Sequence, residues 1–129
     1  MTGFAEHRRV ATVALVVANY DEAIAWYVER LGFTLTEDVD LGGGKRWVTV
    51  APADGPGARL LLAEPSDETQ RKSIGNQTGG RVFLFLETHD FAGDHAAMLT
   101  RASNSARRRV TKPMARWRFS PICMAICGT

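Results

Sequence analysis

The side chains that most readily ligate metals or transfer protons are scattered along this chain. The three histidines are His7, His89 and His95, which fall near the start, in a predicted loop and on a predicted helix. Cys123 and Cys127 form a C-x-x-x-C pair with no partner pair of His or Cys beside it. A structural zinc site needs about four such ligands at characteristic spacings. Neither set predicts a metal site, and no residue is assigned a catalytic role.

The elements that would position a site begin with an apolar, β-branched run at residues 10–18, which predicts a strand. A helix follows from Asp21, which can cap its first turn, to Gly32, which can end it. Three more strands are predicted at residues 33–40, 46–51 and 59–63. The order to residue 64 is therefore strand, helix, strand, strand, strand.

The pattern then starts again. Residues 65–80 are polar and end in GNQTGG, which is typical of a linker, although these residues could also reach over a site as a lid. Residues 82–88 (VFLFLET) predict a second apolar strand, and Asp90 can cap a second helix over residues 91–101. A strand followed by a capped helix has thus occurred twice, which is a weak topological repeat.

The strings VALVVANYDEAIAWYVERLGFTLTED, GGGKRWVTVAP and GNQTGGRVFLFLETHDF resemble the vicinal oxygen chelate superfamily. That superfamily contains glyoxalase I, bleomycin-resistance proteins and extradiol dioxygenases. The resemblance implies an α+β fold in which paired βαβββ units curl mixed sheets into a cup. It implies one domain over residues 1–129, with unit one at 8–64, a linker at 65–80 and unit two at 81–129. Unit two is expected to be incomplete or altered after residue 100.

The resemblance also implies where a metal would bind. Enzymes of this superfamily hold a divalent ion with His, Gln or Glu from the first and last strands of each unit. Three of the four corresponding positions here are Thr12, Leu61 and Phe83, and the fourth falls after residue 100. Leucine and phenylalanine have no lone pair for a hard cation. We therefore expect no metal and no other cofactor, with a divalent site rebuilt from other residues as the alternative.

Strand alternation predicts which side chains line the cup. The parity that starts at Thr12 continues on the other strands, and it predicts a ligand-binding set of Thr12, Trp47, Arg59, Leu61, Phe83 and Glu87. Such a lining is apolar and aromatic with two charged groups, which suits an organic ligand better than a sugar or a phosphate. The same aromatic side chains could instead pack against a partner subunit, and Thr12 alone is an ordinary strand residue.

The last twenty-nine residues differ sharply in charge from those before them. Residues 1–100 contain 9 Lys and Arg against 14 Asp and Glu, whereas residues 101–129 contain 7 Lys and Arg and no acidic residue. The overall charge of +2 therefore hides two unlike parts. The basic tail, with Arg107, Arg108 and Arg109, superficially resembles a nucleic-acid-binding patch.

A shift of the reading frame explains this tail better. Back-translating residues 102–129 and reading the bases one position out of register permits GVEFGEAPRHEAYGTVAVFADLYGNLWD. This string is similar to the second half of a superfamily unit, with two alternating strands and a Y-G turn. Met114–Ala115 and Met124–Ala125 each force a glycine in the shifted frame, whatever codons are used. The hypothesis is a frameshift near residue 101, and a nucleotide sequence with other codons would refute it.

Three functions follow from these observations. The first is a glyoxalase/bleomycin-resistance-like protein that binds a small apolar or aromatic molecule in the cup without metal, so that sequestration alone could confer resistance. The second is a lyase, isomerase or dioxygenase of the superfamily with an atypical metal site. The third is a nucleic-acid binder that uses the tail, which the frameshift hypothesis argues against.

The remaining expectations concern location and partners. No apolar run approaches the ~20 residues of a membrane span. The first nine residues lack the apolar segment of a signal peptide, so a cytoplasmic location is expected. The expected partners are a small-molecule ligand and a second copy of the chain in a homodimer.

Overall fold

The first βαβββ unit is complete in the computed structural model. The structure describes residues 3–52, 57–104, 116–120 and 123–127, with side chains up to Arg101. The unit begins with strand β1 (Thr12–Val16) and helix α1 (Tyr20–Ala25), which a π-helical turn (Trp26–Arg30) continues. Strands β2 (Thr34–Gly42), β3 (Lys45–Ala51) and β4 (Arg59–Ala63) follow. Each predicted element is present, with ends shifted by one or two residues, and the predicted helix is divided into an α and a π part.

These four strands form one mixed sheet in the order β1-β4-β3-β2. Strand β1 is parallel to β4, with Thr12 opposite Arg59 and Ala14 opposite Leu61. Strands β4 and β3, and β3 and β2, are antiparallel. The sheet is curved and does not close on itself, which confirms the predicted α+β fold class.

One face of this sheet packs against the helix and forms the hydrophobic core. Leu15, Leu62, Val48 and Val50 point to that side and are almost completely buried, together with Tyr27 from the helix. Burying a side chain of this size contributes about 1.5–3 kcal/mol. Alternation then directs the neighbouring residues of the same strands, including Thr12 and Leu61, to the opposite face.

The start of α1 differs from the prediction. Asn19, not Asp21, is the N-cap, and its Oδ1 accepts a hydrogen bond from the backbone N–H of Glu22. The carboxylate of Glu64, just after β4, accepts another from the N–H of Tyr20. Asn and Asp are equally good caps, so composition alone could not choose between neighbours. At the other end Gly32 has φ of +71°, as predicted for the residue that ends the helix.

The linker is more ordered than the sequence predicts. It contains a short helix α2, Glu68–Arg71, capped by Asp67. Further along, the side chain of Gln77 pairs with the outer edge of β1: its Nε2 donates to the carbonyl of Val16 at 2.6 Å and its Oε1 accepts from the N–H of Val16 at 3.1 Å. An amide side chain thus supplies the two hydrogen bonds that a further strand would supply.

The described part of the second unit differs from the first, and the expectation that the unit is altered after residue 100 remains a prediction. This unit contains strand β5 (Leu84–Glu87), helix α3 (Phe91–Asn104), strand β6 (Arg116–Ser120) and strand β7 (Cys123–Cys127). Asp90 accepts from the N–H of Gly93 and so caps α3 as expected. Within the described residues two strands follow α3, whereas three follow α1, and their sheet has the order β5-β7-β6. Consequently β5 pairs with an antiparallel neighbour where β1 has a parallel one.

Helix α3 connects the two units. Met98 is buried in the core, and Nη1 of Arg101 donates to the carbonyls of Val28 and Glu29 at 3.3 and 3.0 Å. Arg101, the first residue of the basic tail, is therefore hydrogen-bonded to the helix of the first unit. Pro121 lacks the backbone N–H that a strand ladder needs and is therefore expected to interrupt strands in the tail, but it lies outside the described residues. None of the helices in the described ranges is long and apolar enough to cross a membrane.

An arginine network predicts how stability depends on pH. Arg46 donates to Asp38 at 2.6 and 3.1 Å and to Asp21 at 2.9 Å, joining β2, β3 and α1. These hydrogen bonds lower the pKa of Asp38. A carboxyl with a depressed folded pKa contributes stability above its unfolded pKa of about 4, and loses it as pH falls through the folded value.

We expect Arg46→Met to lower the Tm by a few degrees at pH 7 and by progressively less below about pH 4. Thermal unfolding of both proteins between pH 2.5 and 7 measures this difference. A constant difference over that range would show that Asp38 does not depend on Arg46.

Candidate functional site: the open face of the first sheet

The face of the first sheet that lies opposite α1 is partly exposed to solvent, since some of its side chains are exposed and others are buried. We call this surface the open face and define it by twelve residues whose side chains alternation directs to it, which are Thr12, Ala14, Val16, Glu37, Val39, Lys45, Trp47, Thr49, Ala51, Arg59, Leu61 and Ala63. The side chain of Trp47 is 38% exposed and that of Val39 is 51% exposed. A large aromatic and a β-branched residue thus meet solvent across from one another.

A continuous row of residues crosses the middle of the open face. Ala14 lies opposite Leu61, Leu61 opposite Thr49, and Thr49 opposite Glu37. Four strands spaced about 4.8 Å apart make this row about 14 Å wide, and the segment of β4 from Arg59 to Ala63 is about 13 Å long. Thr49 within this row is fully buried, so a molecule on the open face would contact the other members of the row.

A bulge in β2 places Glu37 on this face. Leu35 is opposite Val50 and Glu37 is opposite Thr49, so Thr36 is an extra residue in the strand. Its hydroxyl lies 2.6 Å from the Oγ1 of Thr49 and donates to the Thr49 carbonyl at 3.0 Å. Without the extra residue, alternation would direct Glu37 into the core. The bulge therefore places the Glu37 carboxylate on the open face, while Leu35 shares the opposite face with Val50 and is 38% exposed.

Glu37 forms an ion pair that borders the apolar part of the open face. Nη1 of Arg59, on β4, donates to Oε1 of Glu37 at 2.9 Å, so the guanidinium reaches across β3. The two side chains are 37% and 39% exposed. An ion pair this open to water contributes only about 0.2–1 kcal/mol to stability. Because both side chains are partly exposed, a molecule that lies on the sheet can reach either charge.

The structure brings four of the six predicted ligand-binding residues together on the open face, namely Thr12, Trp47, Arg59 and Leu61. Phe83 precedes β5 and packs against the hydrophobic core cluster. Glu87, at the end of β5, lines a different cleft of about 280 Å³ that also contains Leu86, Asp94, Met98 and Arg101. The binding role of all six residues remains a prediction.

The residues at three of the superfamily's four metal positions do not fit a divalent ion, and the fourth position falls after residue 101, where the structure describes no side chains. Thr12 offers one hydroxyl, and Leu61 and Phe83 have no donor atom. Within the part of the chain that the structure describes, no three His, Cys, Asp or Glu side chains come together. Hard cations prefer several carboxylate, carbonyl or water oxygens. No reaction step through a metal is therefore derived for this chain.

Two polar residues that shape the first sheet, Glu37 and Gln77, were not predicted from the sequence. Residues 33–40 were predicted to form a strand, with no role assigned to Glu37, although a glutamate at a position that alternation directs into the core is itself a signal of a bulge. Gln77 was part of a turn-rich string, and nothing in GNQTGG distinguishes an amide that docks on a strand edge from one that faces water. The outward position of Glu37 could have been predicted, because burying an unpaired carboxylate in the core is unfavourable. The position of Gln77 could not be predicted without the tertiary structure.

Comparison with known proteins agrees with this architecture. Residues 9–114 match the model of the Glyoxalase/Bleomycin resistance protein/Dioxygenase superfamily. An uncharacterized protein of Shewanella frigidimarina is 51% identical over 90 residues, which are 69% of this chain and 67% of that protein. About a third of each chain therefore lies outside this match.

Two solved structures from Streptomyces sp. CB03234 have similar folds. One is TnmS3, described as an antibiotic binding protein, with 30% identity, a TM-score of 0.59 and coverage of 76% of this chain and 74% of that one. The other is described as a glyoxalase/bleomycin resistance protein, with 30% identity, a TM-score of 0.53 and coverage of 72% and 74%.

Proposed function

Because this chain belongs to the Glyoxalase/Bleomycin resistance protein/Dioxygenase superfamily, we propose that it binds a small apolar or aromatic molecule on the open face, without a metal ion. The observation that carries this proposal is the exposure of Trp47 and Val39 beside Leu61 and Ala14, on a face that the chain's own helix α1 does not cover. Apolar surface of this kind gains about 25 cal/mol for each Å² that a ligand removes from water.

Binding alone, without catalysis, would suffice to confer resistance to a toxic small molecule. TnmS3, which shares 30% of its aligned residues with this chain, is described as an antibiotic binding protein. By that likeness we include aromatic antibiotics and similar metabolites among the proposed ligands. A protein that sequesters such a molecule lowers its free concentration without changing any bond, so no catalytic residue is required.

The proposed absence of metal follows from the donor set, since Leu61 and Phe83 occupy positions where the superfamily's enzymes place ligands. The enzymatic alternative, a lyase, isomerase or dioxygenase, would need donors that converge from elsewhere. Homodimer formation in the cytoplasm is also part of this proposal. It is supported by exposed apolar side chains such as Phe85, which is 70% exposed on β5. Nucleic-acid binding by the tail is not proposed.

The indole N–H of Trp47 provides a direct test. The chain has 3 tryptophans, so an ¹⁵N-labelled sample should show three indole cross-peaks. Adding the neutral aromatic 2-naphthamide should shift the Trp47 peak, identified by its loss in Trp47→Phe. The peak of Trp26, which is buried against Tyr27 on the helix, should stay in place. Shifts at Trp26 with none at Trp47 would locate binding away from the open face and refute the proposal.

A further inference from the structure

The polar end of the open face indicates which chemical group its ligand carries. The guanidinium of Arg59 reaches across β3 to Glu37, which lies in the same cross-strand row as Leu61 and Ala14, so a ring system resting on Leu61 and Ala14 has the guanidinium on its β3 side. We infer that this ligand is a flat aromatic acid whose carboxylate or other anionic oxygen binds Arg59 in exchange for Glu37. The inference rests on the proposed function and specifies its ligand class.

The positions of the two charged residues favour an anion over a cation. Arg59 is on β4, which has β1 on one side and β3 on the other, so its backbone is fixed within the sheet. Glu37 is on β2, the outer strand, and its side chain is 39% exposed. The carboxylate therefore stands on the edge strand, whereas the strand that carries Arg59 lies inside the sheet, under the part of the open face where we place the ligand. We take Glu37 to be the partner that gives way, which favours a ligand anion over a ligand cation.

The exchange is also energetically easy. The Arg59–Glu37 ion pair is exposed enough that breaking it costs little. A guanidinium presents its N–H donors in a plane that matches the two oxygens of a carboxylate, and it stacks readily on aromatic faces. An aromatic acid therefore makes both kinds of contact with Arg59 at once, whereas Glu37 makes only the first.

The test compares 2-naphthoic acid with its neutral amide, 2-naphthamide, by isothermal titration calorimetry at pH 7.5. The two probes have the same rings and differ in charge. We expect the acid to bind roughly tenfold more tightly than the amide. Arg59→Gln should weaken the binding of the amide modestly, because the stacking contact is lost, and should weaken the binding of the acid further, so that the two probes then bind equally. Glu37→Gln, which removes the competing carboxylate, should increase the preference for the acid.

The outcomes separate this inference from the function on which it rests. Equal binding of both probes to the wild-type protein, unchanged in Arg59→Gln, overturns the aromatic-acid inference and leaves the proposed function standing. Binding of neither probe at millimolar concentration overturns both. A preference for the acid that persists in Arg59→Gln and is not increased in Glu37→Gln also overturns the inference, because the charge is then recognised elsewhere. Unchanged circular dichroism of each variant verifies that it is folded.

Discussion

Replacing Leu61 with aspartate should weaken the binding of 2-naphthamide by at least about a hundredfold while leaving the protein folded. Leu61 is half-buried at the middle of the row that crosses the open face. A bound ring would have to cover the new carboxylate and remove it from water, which costs several kcal/mol unless a partner compensates for it. The free protein bears little of this cost, because the side chain stays hydrated until the ligand arrives.

The adjacent residue is the matched control. Leu62 is on the same strand but points into the core, where it is 0% exposed. Leu62→Ala should lower the free energy of unfolding by about 2–5 kcal/mol, and the remaining folded protein should bind 2-naphthamide as before. Calorimetry should show weaker binding for Leu61→Asp only, and thermal unfolding should show a marked loss of stability for Leu62→Ala only. Equal binding by Leu61→Asp and the wild-type protein would mean that the ligand does not rest on the open face.

Restoring the shifted reading frame should stabilise the protein substantially. The variant replaces residues 102–129 with GVEFGEAPRHEAYGTVAVFADLYGNLWD, which contains alternating apolar residues and turn signals where the present tail is strongly basic. If these residues complete the second sheet and bury two further side chains, a net gain of about 2 kcal/mol would raise the Tm by about 8 °C. The first sheet should be unaffected, because its contacts lie within residues 12–63.

The control for this experiment is the same twenty-eight residues in scrambled order, which keep composition and charge but lose the strand pattern. Differential scanning calorimetry on the three proteins would separate the effects. A restored chain no more stable than the scrambled one would contradict the frameshift hypothesis, as would a gene whose codons do not encode this string in the shifted frame.

The first unit was predictable because its local signals agree. The apolar run at residues 10–18, Gly32 at the end of the helix, and the strand-length runs at residues 46–51 and 59–63 each indicate one local structure, and the structure has each of them. When propensity, pattern and turn chemistry point the same way, sequence and structure rarely disagree. Four of the six predicted site residues share a face for the same reason, since strand alternation is a fixed geometric rule.

The features that sequence analysis missed depend on contacts between distant residues. The cap at Asn19 was missed because Asp21 offers an equally suitable side chain two residues later. Phe83 was placed by alternation, but it precedes β5 and contacts the core of the first unit instead. Gln77 bonds to Val16, sixty-one residues away, and no local pattern marks such a contact.

The most direct test of the central claim is a crystal structure of this chain with 2-naphthamide, from protein purified without chelators, with anomalous data collected to detect transition metals. The account predicts planar ligand density against Leu61 and Ala14, with Trp47 alongside and no anomalous peak within bonding distance of Thr12. Ligand density confined to the cleft beside α3, or an ion bonded to Thr12 and its neighbours, would contradict it.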